Sequence, residues 1–173
     1  MLPPLTLVLG GAASGKSAWA ENLLLSSDLE LFYVATARLL DAEIKSKKNV
    51  HKMRRGPRWT DIEAPDGLED ALSCAQPGSA YLLDCTTMWL TNRLMDGKPL
   101  SDSVDAFMQD IANSSAPLVI VSNEIGQGIV PEHALSREFR EVHGRLNIAI
   151  AAKADLVVQV IAGLPNVIKG TLP

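Results

Sequence analysis

Gly10-Gly11-Ala12-Ala13-Ser14-Gly15-Lys16-Ser17 is the stretch from which the chain is read. Its spacing, G-x-x-x-x-G-K-[ST], is that of a phosphate-binding P-loop. Such a loop needs a strand before it and a helix after it, and both are present. Leu5-Thr6-Leu7-Val8-Leu9 is a short apolar run that reads as a buried strand, and Ala18 to Leu25 has no breaker and reads as a helix. Gly10 and Gly15 let the backbone turn tightly and come close to a ligand. The amide N–H groups of the loop then form an anion nest at a helix N-terminus. Gly10, Gly11, Ala12, Ala13, Ser14, Gly15, Lys16 and Ser17 are therefore expected to bind a nucleoside triphosphate. Lys16 would reach the β- and γ-phosphates as a catalytic group, and the Ser17 hydroxyl would ligate Mg²⁺. The plainer alternative is a glycine-rich turn joining a strand to a helix.

Outward from this loop, short apolar runs alternate with helical stretches. Strands are expected at Leu31 to Ala35, Ala80 to Cys85, Pro117 to Ser122 and Leu156 to Ile161, with a short extended piece at Trp59 to Glu63 and an edge strand near Val167 to Lys169. Helices are expected over Leu39 to Met53, Asp66 to Cys74 with Asp66 as cap, Met88 to Leu94, Ser101 to Ile111 with Ser101 as cap, and Glu132 to Ala154 with a break near Gly144. The alternation implies βαβ units: an α/β, P-loop NTPase-like three-layer fold with a mainly parallel sheet and helices on both faces. A length of 173 residues fits one domain, 1–173.

Composition excludes several classes. Hydrophobic residues make up 47% of the chain, enough for a packed core. A net charge of −4 is not that of a protein built to coat nucleic acid. No apolar run approaches the roughly 20 residues of a membrane span. Met1-Leu2-Pro3-Pro4 has no basic segment of the signal-peptide kind. Cys74 and Cys85 lack metal-type spacing and read as buried thiols, which points to a reducing cytoplasm.

Four further features bear on chemistry. Asp84 ends an apolar strand, where an acid of a P-loop protein holds Mg²⁺; the competing reading is a helix cap. Lys45, Lys47, Lys48, Lys52, Arg54, Arg55 and Arg58, seven of the sixteen Lys and Arg, fall in one run with no acid. That run is a solvated face, an electropositive surface for a polyphosphate, or a nucleic-acid patch, although it lacks the aromatics that would stack bases. His51 lies inside it. A lone histidine is commonly structural, but among cations an imidazole stays neutral and nucleophilic near neutral pH, fit to attack phosphorus. Asn123-Glu124-Ile125-Gly126-Gln127-Gly128-Ile129-Val130-Pro131 follows a strand at the sheet edge of the P-loop, as a plain connection or as a second-substrate loop. His133 and His143 have no such surroundings and are expected at the surface.

Together these residues resemble the bifunctional adenosylcobinamide kinase/adenosylcobinamide-phosphate guanylyltransferases of cobalamin biosynthesis. The resemblance is carried by the P-loop, Tyr33-Val34-Ala35-Thr36-Ala37, Asp41-Ala42-Glu43-Ile44, the segment from His51 to Trp59, Leu83-Asp84-Cys85 and Trp89-Leu90-Thr91-Asn92. It continues through the Asn123 to Pro131 run, Phe139 to Asn147 and Ala162-Gly163-Leu164-Pro165, so it covers nearly the whole chain in order.

The resemblance implies two reactions. One is phosphoryl transfer from ATP or GTP to the aminopropanol hydroxyl of adenosylcobinamide; the other is transfer of GMP from GTP to the resulting phosphate through a guanylyl-histidine. His51 matches the guanylylated histidine. Ala35, Thr36, Ala37, Lys52, Met53, Arg54, Arg55, Glu63 and Asp84 match positions that contact the guanine nucleotide. The resemblance also implies a homotrimer. The chain departs from the family pattern at Ala13, where Arg is common, at Pro57, one place later than in some members, and at Asn147-Ile148, where Asn-Gln is common.

Overall fold

The computed structural model describes residues 1–38, 55–73, 75–112 and 114–173. Seven strands form one sheet: β1 (Leu5–Gly10), β2 (Glu30–Ala35), β3 (Trp59–Glu63), β4 (Ser79–Asp84), β5 (Leu118–Asn123), β6 (Leu156–Ile161) and β7 (Leu164–Lys169). The described helices are α1 (Lys16–Leu25), α2 (Glu69–Ser73), α3 (Thr86–Met95), α4 (Ser103–Ala112) and α5 (Ala134–Lys153). The expected helix from Leu39 to Met53 lies outside the described residues.

The strand order is β3-β2-β4-β5-β1-β6-β7. All neighbours pair in parallel except β6 and β7, an antiparallel hairpin at one edge. The inner strands are apolar on both faces because both faces are covered. On one face Val8, Leu31, Tyr33, Leu82, Val119 and Val158 pack with Ala20 and Leu24 of α1. On the other, Leu7, Val34, Leu83, Ile120 and Val157 pack with Leu72, Trp89, Phe107, Leu146 and Ile150 from the remaining helices. The expected three-layer α/β fold is the one observed.

Local differences have local causes. Asp66 does not cap a helix; its carboxylate pairs with Arg38, and α2 begins three residues later at Glu69. The Ser101 hydroxyl donates to Asp102 Oδ1 at 2.8 Å, and α4 begins at Ser103. Gly144 does not break α5, which runs unbroken for 20 residues. Val142, Leu146 and Ile150 bury a stripe of that helix at helical spacing, and this outweighs the roughly 1 kcal/mol a glycine costs. β7 is longer than expected and contains Pro165, which a strand at the sheet edge accommodates.

Candidate active site

The site grows from the carboxyl ends of the strands. At the end of β1 the chain turns through Gly11 to Ser14, with the Ser14 N–H donating to the Gly11 carbonyl at 3.3 Å, and enters α1. Gly15 sits at φ 92°, the left-handed region that favours glycine. A Cβ on Gly10 would come within 2.3 Å of Ser14 Oγ and 2.8 Å of the Val160 carbonyl, so the loop closes only around a glycine. The β6–β7 turn braces it from outside: the Gly163 N–H donates to the Ser14 carbonyl at 2.8 Å. Lys16 Nζ donates to the Gly11 carbonyl at 3.0 Å, which holds its charge over the loop. Gly11, Ala12 and Ala13 are exposed, and Ser14 Oγ is buried with no hydrogen-bond partner among the described residues.

Strand β5 lies between the P-loop strand and the strand carrying Asp84. Its end is tied to the loop, because the Glu124 N–H donates to the Gly10 carbonyl at 2.9 Å. The loop from Asn123 to Pro131 is held by α5. Arg140 donates to the carbonyls of Ile129, at 2.8 Å, and Gly126, and Arg137 donates to those of Pro131, at 3.0 Å, and Glu132, at 2.6 Å. The Glu124 carboxylate accepts from the Gly126 N–H at 2.6 Å.

Asp84 ends β4 half-buried, and Tyr33 Oη donates to its Oδ2 at 3.1 Å. Burial, reinforced by the adjacent Asp84 carboxylate, holds the Tyr33 phenol well above its usual range, so it remains a donor. Buried Cys85 follows; burial, with the charge of Asp84 adding to it, pushes its thiol up to about 11, while Lys16 pulls the other way. Ser17 and Asp84 are hard oxygen donors of the kind Mg²⁺ takes alongside phosphate oxygens and water. Among the described residues no group of three or more His, Cys, Asp or Glu could hold a metal.

Thr36 is fully buried, and its polar groups are used inside the protein. Its Oγ1 donates to the Cys85 carbonyl at 2.7 Å and accepts from the Cys85 N–H at 2.9 Å, while its carbonyl accepts from Asn92 Nδ2 at 2.7 Å. It joins the ends of β2 and β4. Ala35 is buried beside it and Ala37 is half-buried. Glu63 ends β3 and is exposed, beside a cleft of about 520 Å³ lined by Ala64, Asp66 and Asp70. Arg55 is buried, its guanidinium 3.4 Å from the centre of the Tyr33 ring and paired with Asp61 at 2.6 Å. His51, Lys52, Met53 and Arg54 lie outside the described residues.

His133 is exposed as expected, but His143 is not a surface residue: it is 1% exposed. Its Nε2 lies 2.9 Å from Thr87 Oγ1 and 3.5 Å from Ser122 Oγ, and Ser122 donates to Asn147 Oδ1 at 2.5 Å. Burial pulls its pKa down to about 4, partly offset by Glu124. The signal in the sequence was its place on the apolar stripe of α5, one position after Val142 and three before Leu146. Asn92, whose amide also binds the Pro65 carbonyl at 2.8 Å, carried no such signal, because both its partners are distant carbonyls.

A glycine loop at a helix N-terminus, a lysine over it and a strand-end carboxylate on a parallel sheet define a P-loop nucleotide-binding fold of the α/β class. Solved structures agree at the level of fold. The flagellar accessory protein FlaH from Methanocaldococcus jannaschii superposes with a TM-score of 0.52 at 15% identity, covering 98% of this chain and 80% of that one. An ATPase from the type III secretion system of pathogenic bacteria gives 0.55 at 10% identity, covering 96% and 57%.

Sequence narrows the class. Residues 6–168 match the family model described as cobinamide kinase / cobinamide phosphate guanyltransferase. The bifunctional adenosylcobalamin biosynthesis protein CobP of Pseudomonas aeruginosa is 40% identical, over 95% of this chain and 96% of its own. CobU of Escherichia coli, with the same bifunctional description, is 34% identical over 94% and 98%. The chain belongs to the cobinamide kinase / cobinamide phosphate guanyltransferase family of transferases.

Proposed function

We propose that this chain carries out both reactions of its family at the P-loop end of the sheet. In the first, the aminopropanol hydroxyl oxygen of adenosylcobinamide bonds to the γ-phosphorus of ATP or GTP. The bond to the bridging oxygen breaks, and the hydroxyl proton is released. In the second, an imidazole nitrogen of His51 bonds to the α-phosphorus of GTP and pyrophosphate leaves. A phosphate oxygen of adenosylcobinamide phosphate then takes the GMP, giving adenosylcobinamide-GDP and freeing His51.

The observation that supports this reading is the meeting of the P-loop, the end of β5 and Asp84 at one edge of the sheet, with β5 between β1 and β4 and the Glu124 N–H bonded to the Gly10 carbonyl. Gly10 to Ser17 hold the triphosphate, with Lys16 on the β- and γ-phosphates. Ser17 and Asp84 hold Mg²⁺, which when bound shields the charge of the phosphates. Ala35 and Ala37 face the nucleotide across a strand end that Thr36 keeps in place, and Glu63, Lys52, Met53 and Arg54 complete the guanine-nucleotide contacts. Arg55, expected among these contacts, is buried over the Tyr33 ring and paired with Asp61, which fits a supporting role rather than direct contact.

The enzyme works in the cytoplasm as a homotrimer. No described helix is long and apolar enough to cross a membrane. Leu164 and Ile168 on β7, with Ile129, Val130 and Ile148, are exposed apolar side chains of the kind that subunit contacts cover.

The test is stepwise turnover. Purified protein with adenosylcobinamide, Mg²⁺ and ATP should yield adenosylcobinamide phosphate, and added GTP should carry it on to adenosylcobinamide-GDP, both read by mass spectrometry. Absence of both products from folded, nucleotide-binding protein would refute the reading.

A further inference from the structure

We infer that Tyr33 is a positioning residue for Asp84, fixing one oxygen of that carboxylate so that the other is presented to the metal-nucleotide. The inference rests on the reading of Asp84 as a magnesium ligand and adds a residue to it. The sheet register produces the arrangement. Ala35 of β2 is paired with Asp84 of β4, and Tyr33, two residues earlier, shares its face. Tyr33 and Asp84 are therefore diagonal neighbours, a separation an aromatic side chain spans. The Tyr33 hydroxyl donates to Asp84 Oδ2 at 3.1 Å.

The ring is itself held on several sides. Asp61 lies opposite Tyr33 in the β2–β3 register and binds Arg55 at 2.6 Å. Arg55 Cζ lies over the ring, 3.4 Å from its centroid, and Trp59 meets the ring edge-on, centroids 6.5 Å apart at 82°. Tyr33 is 7% exposed, and the Arg55 side chain is 1% exposed. Among the described residues the guanidinium is held by the ring face and by Asp61. These contacts fix the ring with its hydroxyl on Asp84. A carboxylate with one oxygen engaged loses less freedom on taking an ion, which is how outer partners raise metal affinity, commonly by 10- to 100-fold.

The test is calorimetric binding of a non-hydrolysable GTP analogue, with and without Mg²⁺, to wild type, Tyr33→Phe, Asp84→Asn and the double variant. Thermal unfolding is followed in parallel. Tyr33→Phe keeps the ring under Arg55 and removes only the hydroxyl. It should raise the Mg²⁺ concentration at half-effect by about tenfold. Metal-free analogue affinity should stay at the wild-type level, and the change should vanish in the Asp84→Asn background. A Tyr33→Phe response equal to wild type, beside an altered Asp84→Asn, would overturn the inference and leave the Asp84 assignment standing. An unaltered Asp84→Asn response would remove that assignment and the inference with it. An equal Tyr33→Phe effect in both backgrounds would show that Tyr33 acts by another route and would also overturn it.

Discussion

Lys16 donates to a neighbouring carbonyl, that of Gly11 at 3.0 Å, and in the proposed function it exchanges that bond for phosphate oxygens of a triphosphate. Removing a charge-assisted contact costs about 1.5–3 kcal/mol, roughly 10- to 150-fold in affinity. Lys16→Ala should therefore weaken GTP binding by that factor in calorimetry and abolish both turnovers; unchanged binding would rule out the P-loop assignment.

His143 makes the opposite point, a titratable group whose surroundings bear on stability. Its folded-state pKa of about 4 is below the ordinary 6.5. The unfolded chain then binds the extra proton first, and the folded state loses stability as pH falls from 6.5 toward 4, by up to about 3 kcal/mol. Denaturant titrations of wild type and His143→Gln at pH 7.5 and 5 should show the variant losing less over that drop. Equal losses would mean that His143 is not held neutral. Reading His143 as a surface residue failed because neighbouring charge was weighed and helical position was not. The loop that carries Lys16 and Ser17, by contrast, was legible because its strand, turn and helix follow from a contiguous motif.

Among the elements, those whose signal is local were legible. The inner strands are apolar runs because parallel strands are covered on both faces, and α1 follows its glycine loop. Helix starts shifted where a side chain found another partner, as Asp66 did with Arg38, whose hydrogen bond also holds the Asp96 carboxyl below its usual range. The brace between the β6–β7 turn and the P-loop was not legible, since it joins residues some 150 apart in sequence by one backbone bond, Gly163 to Ser14. This packing predicts the effect of a methyl group. Gly10→Ala would drive Cβ against Ser14 Oγ and the carbonyl of Val160, which strand pairing holds in place. Overpacking of this kind costs about 1–3 kcal/mol. The variant should unfold at lower temperature and bind GTP at least tenfold more weakly; wild-type affinity would show that the loop opens without cost.

At the scale of the molecule, the strand order decides what meets what. Placing β5 between β1 and β4 brings Glu124 beside the P-loop and sets Asp84 beyond it, an order that apolar runs cannot reveal because it depends on pairing between distant segments. The Tyr33–Asp84 pair was hidden for the same reason. The hairpin that braces the loop also carries exposed Leu164 and Ile168 at the sheet edge. Sedimentation should give three times the 18.6 kDa of one chain, and Leu164→Asp with Ile168→Asp should lower it; a wild-type monomer would contradict the trimer.

The central claim is that one chain transfers phosphoryl groups at its P-loop and GMP through His51. The most direct measurement is incubation with GTP labelled on the α-phosphate, followed by denaturing electrophoresis. Wild type should retain label in an acid-labile, base-stable bond, as a phosphorus–nitrogen link requires. His51→Ala should lose the label and the guanylyl transfer while still phosphorylating adenosylcobinamide, since direct attack on the γ-phosphorus needs no enzyme nucleophile. Label retained by His51→Ala at the wild-type level, or a base-labile adduct, would contradict the account.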